Sequence, residues 1–396
     1  MDHEKGLLTE GSSKKDYHIV LLVMLVFFVI SLITNILNSI IVDVKESFDL
    51  SLTMTGFLPF TFFIAYGVMS IPAGFLSERF KNKALLSFSF LLMTLASLVF
   101  VFVPTHIVFS FTLFVLGSCM AILQVIINPM LRVAGGEEHF AFNSVVAQLV
   151  FGVASFSSPY LYKYLVNDDA NENWAAMLRS FVPEHIPWAS LYLVFSVFCF
   201  VLVLIVLLTK YPTYEKEEGE KAGDSISYMT LIKNKYTHLY FLGIFCYVGI
   251  EQGVGNWISQ FLQEYHQIDP QTFGANTVAY FWAMLTVGCI LGLVLLKIFD
   301  SRKLLVGTTV ITIVCLFFAL LGNSSISLFA FPMLGFFISV MWPIIFSLGL
   351  NSIKNHHGSL SGILCTGIAG GAILPFLIGV IGEITSIKTA LFFIII

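Results

Sequence analysis

The stretch "FCYVGIEQGVGNWISQFL" (245–262) sets a carboxylate and two amides, Glu251, Gln252 and Asn256, into an otherwise apolar, glycine-rich run. An amide both donates and accepts hydrogen bonds and a carboxylate accepts them strongly, so the three together can grip a hydroxylated solute. At about 100° per residue, Gln252 and Asn256 lie one turn apart on one helix face, and Glu251 borders it. Gly249, Gly253 and Gly255 leave room for a ligand or a partner helix and ease local unwinding. Trp257 follows Asn256 directly, and Tyr280, Phe281, Trp282 and Trp342 offer further aromatic faces. In the first part of the chain the polar candidates are Asn35, Asn38, Gln124, Asn128, Asn143 and Gln148. Asn128 precedes Pro129, so it can serve either a ligand or a backbone broken there, and Asn143 falls close to a helix end.

The elements that must carry these residues are membrane helices. Hydrophobic residues make up 57% of 396 and charged residues only 11%, against about 25% charged in an ordinary soluble domain. So few charges cannot cover the surface of a soluble protein of this length. Apolar runs long enough to span a bilayer lie near 19–42, 56–76, 84–103, 106–127, 143–166 and 187–209. A charged stretch, "KYPTYEKEEGEKAGDSISYMTLIKNKY" (210–236), comes next. Further runs lie near 239–263, 275–299, 304–322, 327–350, 359–381 and 387–396, the last too short to span alone. The chain therefore reads as an N-terminal segment (1–18), a six-helix bundle (19–209), a linker (210–236) and a second six-helix bundle (237–396) whose twelfth helix is cut short. With both termini and the linker on the cytoplasmic side, all of the 20 Lys and Arg except Lys45, Lys163, Arg179 and Lys388 share that side, as the positive-inside rule requires.

Within this frame Glu251 is the acid deepest in a span, whereas Asp43, Asp300 and Glu383 are expected at helix ends, near water. A charged residue at a helix centre costs about 2.5–3.5 kcal/mol on insertion scales, so an intramembrane acid is a functional candidate by default. The six Cys show no CxxC or Cys/His spacing, which argues against a disulfide framework or a metal site. No HExxH, paired acids or Ser/His pair falls inside the spans, and His139, His238, His356 and His357 sit at loop ends. An intramembrane enzyme is therefore not expected.

Two six-helix halves with a cytoplasmic linker resemble the layout of the major facilitator superfamily. The loop "GFLSERFKNK" (74–83) is similar to that superfamily's signature between its second and third helices: Gly74 for close helix approach, Glu78 at a helix end, and Arg79, Lys81 and Lys83 as a basic gate. More specifically, "SIPAGFL" (70–76), "QVIINPM" (124–130), "LLTKYP" (207–212), "FCYVG" (245–249), "WPIIFSLGL" (342–350) and "GIAGGAILP" (367–375) resemble segments of the bacterial L-fucose permease family, the fucose–galactose–glucose cation symporters. The matches run in order along nearly the whole chain.

The resemblance implies a multi-pass carrier of the bacterial inner membrane that moves a hexose or hexose derivative by alternating access. Its two fucose-permease acids are not retained: their positions fall on Ser39, within "NILNS" (35–39), and on Gln124, while the fifth-helix amides fall at Val146 and Leu149, with Gln148 close by. Some glucose/galactose members resemble this chain in a seventh-helix "YVGxE", which makes Glu251 the coupling carboxylate, carrying a proton or holding Na⁺. Substrate contacts are expected from Asn38, Gln124, Asn128, Gln148, Gln252, Asn256, Trp257, Trp282 and Trp342, and gating from Gly74, Glu78, Arg79 and Lys83. No cofactor or nucleic acid is expected; the partners are the solute, the coupled H⁺ or Na⁺ and the bilayer, with a monomer as the working unit. The missing acids leave open a carrier of a lipid, peptide or drug, and an uncoupled uniporter.

Overall fold

The structure is a computed structural model that describes residues 16–135, 140–166, 173–209, 231, 233–352 and 363–395. Long apolar runs fold as helices because a segment in lipid must satisfy its own backbone hydrogen bonds. The first half comprises α1 (Tyr17–Ser47), α2 (Leu52–Arg79), α3 (Asn82–Phe102), α4 (His106–Gly135), α5 (Phe140–Val166), a short α6 (Asn173–Arg179) and α7 (Ser190–Leu208). The second comprises α8 (Lys235–His266), α9 (Ala275–Ile298), α10 (Ser301–Leu321), α11 (Ser324–Ile338), α12 (Met341–Asn351), α13 (Gly370–Ile384) and the short α14 (Ile387–Phe392). Most of the linker, 210–230 and 232, lies outside the described residues.

Helix starts obey local chemistry. Asp16, Ser51, Asn234, Asp300 and Asn323 each accept a hydrogen bond from a first-turn N–H of the helix they precede. The expected span at 327–350 is interrupted at Ser339–Val340, between α11 and α12, just ahead of Pro343. Proline has no N–H to donate back to the preceding turn, so a break there is its natural consequence. A 3-10 turn at Gly367–Ala369 likewise precedes α13. Here Gly370 is obligatory, since a methyl in its place would collide with the Phe245 carbonyl oxygen on α8.

Nine helices among the described residues are long and apolar enough to cross a membrane on composition alone. Helix α8 is not among them, although it runs unbroken over the length of a span. Its polar residues Glu251, Gln252, Asn256, Ser259 and Gln260 lower its apolar character.

Pairing repeats between the halves. Helices α1 and α5, and α2 and α4, pack in the first half; α8 and α13, and α9 and α11, pack in the second. One apolar cluster is built mainly from the first-half helices α1–α7, with Ala275 and Ala372 of the second half joining it, and a second from α8–α14. The halves meet along α2–α13, α5–α9 and α1–α8. At Gly56 of α2, a methyl would stand 2.9 Å from the Pro375 carbonyl oxygen of α13, so the two backbones are in close contact at that seam. The bundle has a near end, where α1 begins, and a far end, where α1 finishes.

Candidate functional site

The polar residues of α1 and α8 meet where these two helices cross between the halves. On α1, Asn35, Asn38 and Ser39 are spaced to share a face, and each is at most 1% exposed. On α8, Gln252, Asn256, Ser259 and Gln260 form a stripe at helical spacing, each at most 5% exposed. Gly255 brings the two helices together: a methyl there would sit 3.3 Å from Asn38 Nδ2 and 3.5 Å from Trp282 Cζ2 on α9. The α8 glycines therefore give room to partner helices, one of the roles expected of them, and α8 is continuous through them.

Many of these groups lack partners. Asn35 Oδ1, Asn38 Nδ2, Ser39 Oγ, Gln252 Oε1, Asn256 Oδ1, Ser259 Oγ, Gln260 Oε1 and Trp282 Nε1 are buried and make no hydrogen bond among the described residues. A buried polar group left unpaired costs about 1–3 kcal/mol. Eight of them converging on one seam is a costly arrangement for packing, and an apt one for receiving a ligand that brings its own donors and acceptors. Other capacity is spent internally: Asn256 Nδ2 donates to the Gln252 carbonyl at 2.7 Å, and Asn35 Nδ2 donates to Ser155 Oγ at 2.9 Å. The buried polar residues among those described include no Lys, Arg or His, so nothing there would offset an anionic ligand.

Glu251 occupies the side of this region toward α9 and α12. It is half-buried, its Oε1 accepts from Tyr247 OH at 3.2 Å, and the Cys289 thiol of α9 is close enough to feel its charge. Behind Tyr247 stands Trp342 at 5.9 Å between ring centroids, itself stacked on Phe346. Glu251 thus has as its hydrogen-bond partner a phenol that packs in turn on Trp342.

The other expected residues divide. Trp282 is 2% exposed and lies against Gly255, inside the polar seam. Trp257 is fully buried and its Nε1 donates to the Pro375 carbonyl at 3.1 Å, which joins α8 to α13. Gln124 of α4 is half-buried, and Gln148 of α5 is exposed. The side chains of Asn128, Gly74 and Glu78 lie outside the described residues. Arg79 ends α2 and is exposed. Lys83 Nζ donates to the carbonyls of Leu207 and Thr209 at 2.7 and 3.0 Å, closing the C-terminus of α7 within the same half.

One expectation is corrected. Asp43, expected near water at a helix end, is 7% exposed and accepts hydrogen bonds from Tyr162 and Gln271. Its place four residues after Ser39 and eight after Asn35 puts it on the same α1 face, a periodic signal that the sequence does carry. Ser259 and Gln260 also join the site, and their spacing from Gln252 and Asn256 is the corresponding signal on α8.

Comparisons with known proteins agree with this architecture. Residues 23–375 match the sequence profile of the Major Facilitator Superfamily. A relative named "Glucose/galactose transporter" from Brucella abortus biovar 1 (strain 9-941) is 30% identical, over 97% of this chain and 92% of its own length. A solved structure of the Escherichia coli fucose:proton symporter aligns over 95% of both chains with 21% identity and a TM-score of 0.66. A bacterial homologue of the human lysosomal transporter Spinster, solved in an inward-facing conformation, aligns over 94% of this chain and 84% of its own with 15% identity and a TM-score of 0.77.

Proposed function

The chain belongs to the Major Facilitator Superfamily, and from that premise we propose that it carries a neutral hexose, glucose or galactose in type, across the bacterial inner membrane together with a proton. The observation that carries this reading is the set of unpartnered buried amides and hydroxyls at the α1–α8 crossing, with the Trp282 ring beside them. A pyranose supplies hydroxyls in every direction and an apolar C–H face, which is the complement of amides ringed around an indole. The absence of buried cations among the described residues disfavours a sugar phosphate or a sugar acid. The relative named for glucose and galactose, similar along nearly its full length, supports the same class.

In this reading the halves 19–209 and 237–396 rock about the central seam, and Asn38 grips the solute from one half while Gln252 and Asn256 grip it from the other. Glu251 is the coupling carboxylate. Its surroundings favour a proton over Na⁺: a hard cation takes several oxygen ligands, whereas Glu251 has a phenol, a thiol and aromatic rings about it. The near end corresponds to the cytoplasm. The far end is sealed, with Gln263 bonded to Glu46 and Thr53 N to Glu383, while Glu251 keeps part of its surface accessible. We read the closed far end as the inward-facing arm of the cycle.

The test is uptake into proteoliposomes of a panel of radiolabelled neutral and anionic sugars, with pH and Na⁺ gradients imposed separately. The reading expects concentrative uptake of glucose or galactose driven by an inward proton gradient. Uptake of anionic sugars alone, or accumulation driven only by Na⁺, would overturn it.

A further inference from the structure

Asp43 is a buried carboxylate to which the hexose reading gives no role. It lies toward the far end of α1 and accepts from Tyr162 OH of α5 at 2.8 Å and from Gln271 Nε2, in the turn that leads into α9, at 3.3 Å. The carboxylates of Glu46 and Asp269 are near enough to act on it electrostatically. Its two partners belong to different halves. Tyr162 is part of a polar seam that binds α1 to α5, in which Ser31 bonds Ser155 at 2.7 Å and Asn35 bonds Ser155 at 2.9 Å. Asp43 therefore travels with the first half, and Gln271 with the second. Other cross-half bonds at this end among the described residues, such as Gln263 to Glu46 and Thr53 N to Glu383, lie at exposed positions where water can replace them. Asp43 has no such replacement while it stays buried, so its bond to Gln271 is the one whose loss matters most.

We propose that Asp43 is a gating residue: its hydrogen bond to Gln271 latches the far end of the two halves, and weakening it shifts the protein toward the state open at that end. Parting the halves would hand Asp43 to water and leave Tyr162 in place, so the latch is reversible without unfolding α1 from α5. The inference rests on alternating access, as the hexose reading does, yet it is independent of which solute is carried. A ligand or a substitution moves such an equilibrium only by its differential effect on the two states, and here the difference is one bond to a buried carboxylate made in a single state.

Val42 provides the reporter. It is 1% exposed and sits one turn from both Asn38 and Glu46, the α1 residues that face α8. The full chain carrying Val42→Cys is treated in right-side-out vesicles with a membrane-impermeant maleimide, and modification at position 42 is read by peptide mass spectrometry. Slow labelling is expected in this parent, several-fold faster labelling with Gln271→Ala, and faster still with Gln271→Glu, which sets two carboxylates against each other. The exchanged pair Asp43→Asn with Gln271→Glu restores a donor and an acceptor, and should return labelling to the parental rate. An unchanged rate with Gln271→Glu would overturn the proposal. So would an exchanged pair that labels as fast as Gln271→Glu alone, because a purely structural Asp43 would not be rescued by the swap. No sugar is needed in the assay, so its failure and the failure of the hexose reading are separate results.

Discussion

At the scale of single residues, polar groups already bonded within the protein behave differently from polar groups left for a ligand. Asn38 and Asn256 each hold one buried atom unpartnered among the described residues, whereas Trp257 Nε1 is bonded to Pro375. Asn38→Ala or Asn256→Ala should therefore weaken hexose binding roughly two- to tenfold, the worth of one neutral hydrogen bond at about 0.5–1.5 kcal/mol. Titration calorimetry on purified protein checks this, and unchanged affinity in both variants would remove them from the site. Trp257→Phe should instead leave affinity intact and lower stability by about 1 kcal/mol, visible as a reduced melting temperature. Glu251→Gln keeps the shape and loses the ability to take up and release a proton. It should abolish accumulation against a gradient while sugar counterflow persists. The candidacy of Glu251, Gln252 and Asn256 was legible in the sequence, because polar residues in an apolar run are conspicuous. The burial of Asp43 was not, because a residue near a predicted helix end looks solvated until the turn carrying Gln271 is known to fold over it.

At the scale of elements, apolar run lengths located the helices and Pro343 marked the break between α11 and α12. What runs and prolines do not encode is which faces meet, since that depends on side-chain volume at the crossings. Glycines hold part of the information. Gly370 faces the Phe245 backbone and Gly152 of α5 faces Thr286 of α9, in each case so closely that a methyl would collide. The two obstacles differ in kind. A carbonyl oxygen cannot rotate away, and a threonine side chain has limited freedom of its own. Gly370→Ala should therefore force α13 off α8 and cost about 1–3 kcal/mol, the range for overpacking, read as a lower melting temperature in detergent. Gly152→Ala lies on a seam between halves that must slide, so its effect should appear chiefly as slower transport in protein of near-normal stability. Equal stability of Gly370→Ala and the parent would contradict the packing assigned to that crossing. In the basic loop that resembles a gate, Lys83 also donates to the C-terminal carbonyls of α7 in its own half.

At the scale of the whole molecule, two bundles with the same internal pairing face each other across α1–α8, α2–α13 and α5–α9, and eight unpartnered buried polar groups lie on or beside the α1–α8 crossing. Under the proposed function, a site assembled from both halves would link binding to rocking, since a solute held by Asn38 and Asn256 at once would favour their approach. Coupling, under the same proposed function, further requires that a proton move with the sugar and that Glu251 carry it. The most direct measurement uses proteoliposomes loaded with a pH-sensitive dye and no imposed gradient, to which glucose or galactose is added outside. If Glu251 couples the two, the sugar acidifies the lumen in the parent protein, and Glu251→Gln exchanges labelled sugar with no acidification. Sugar entry without any change in lumenal pH, or equal acidification in Glu251→Gln, would contradict proton coupling through this residue.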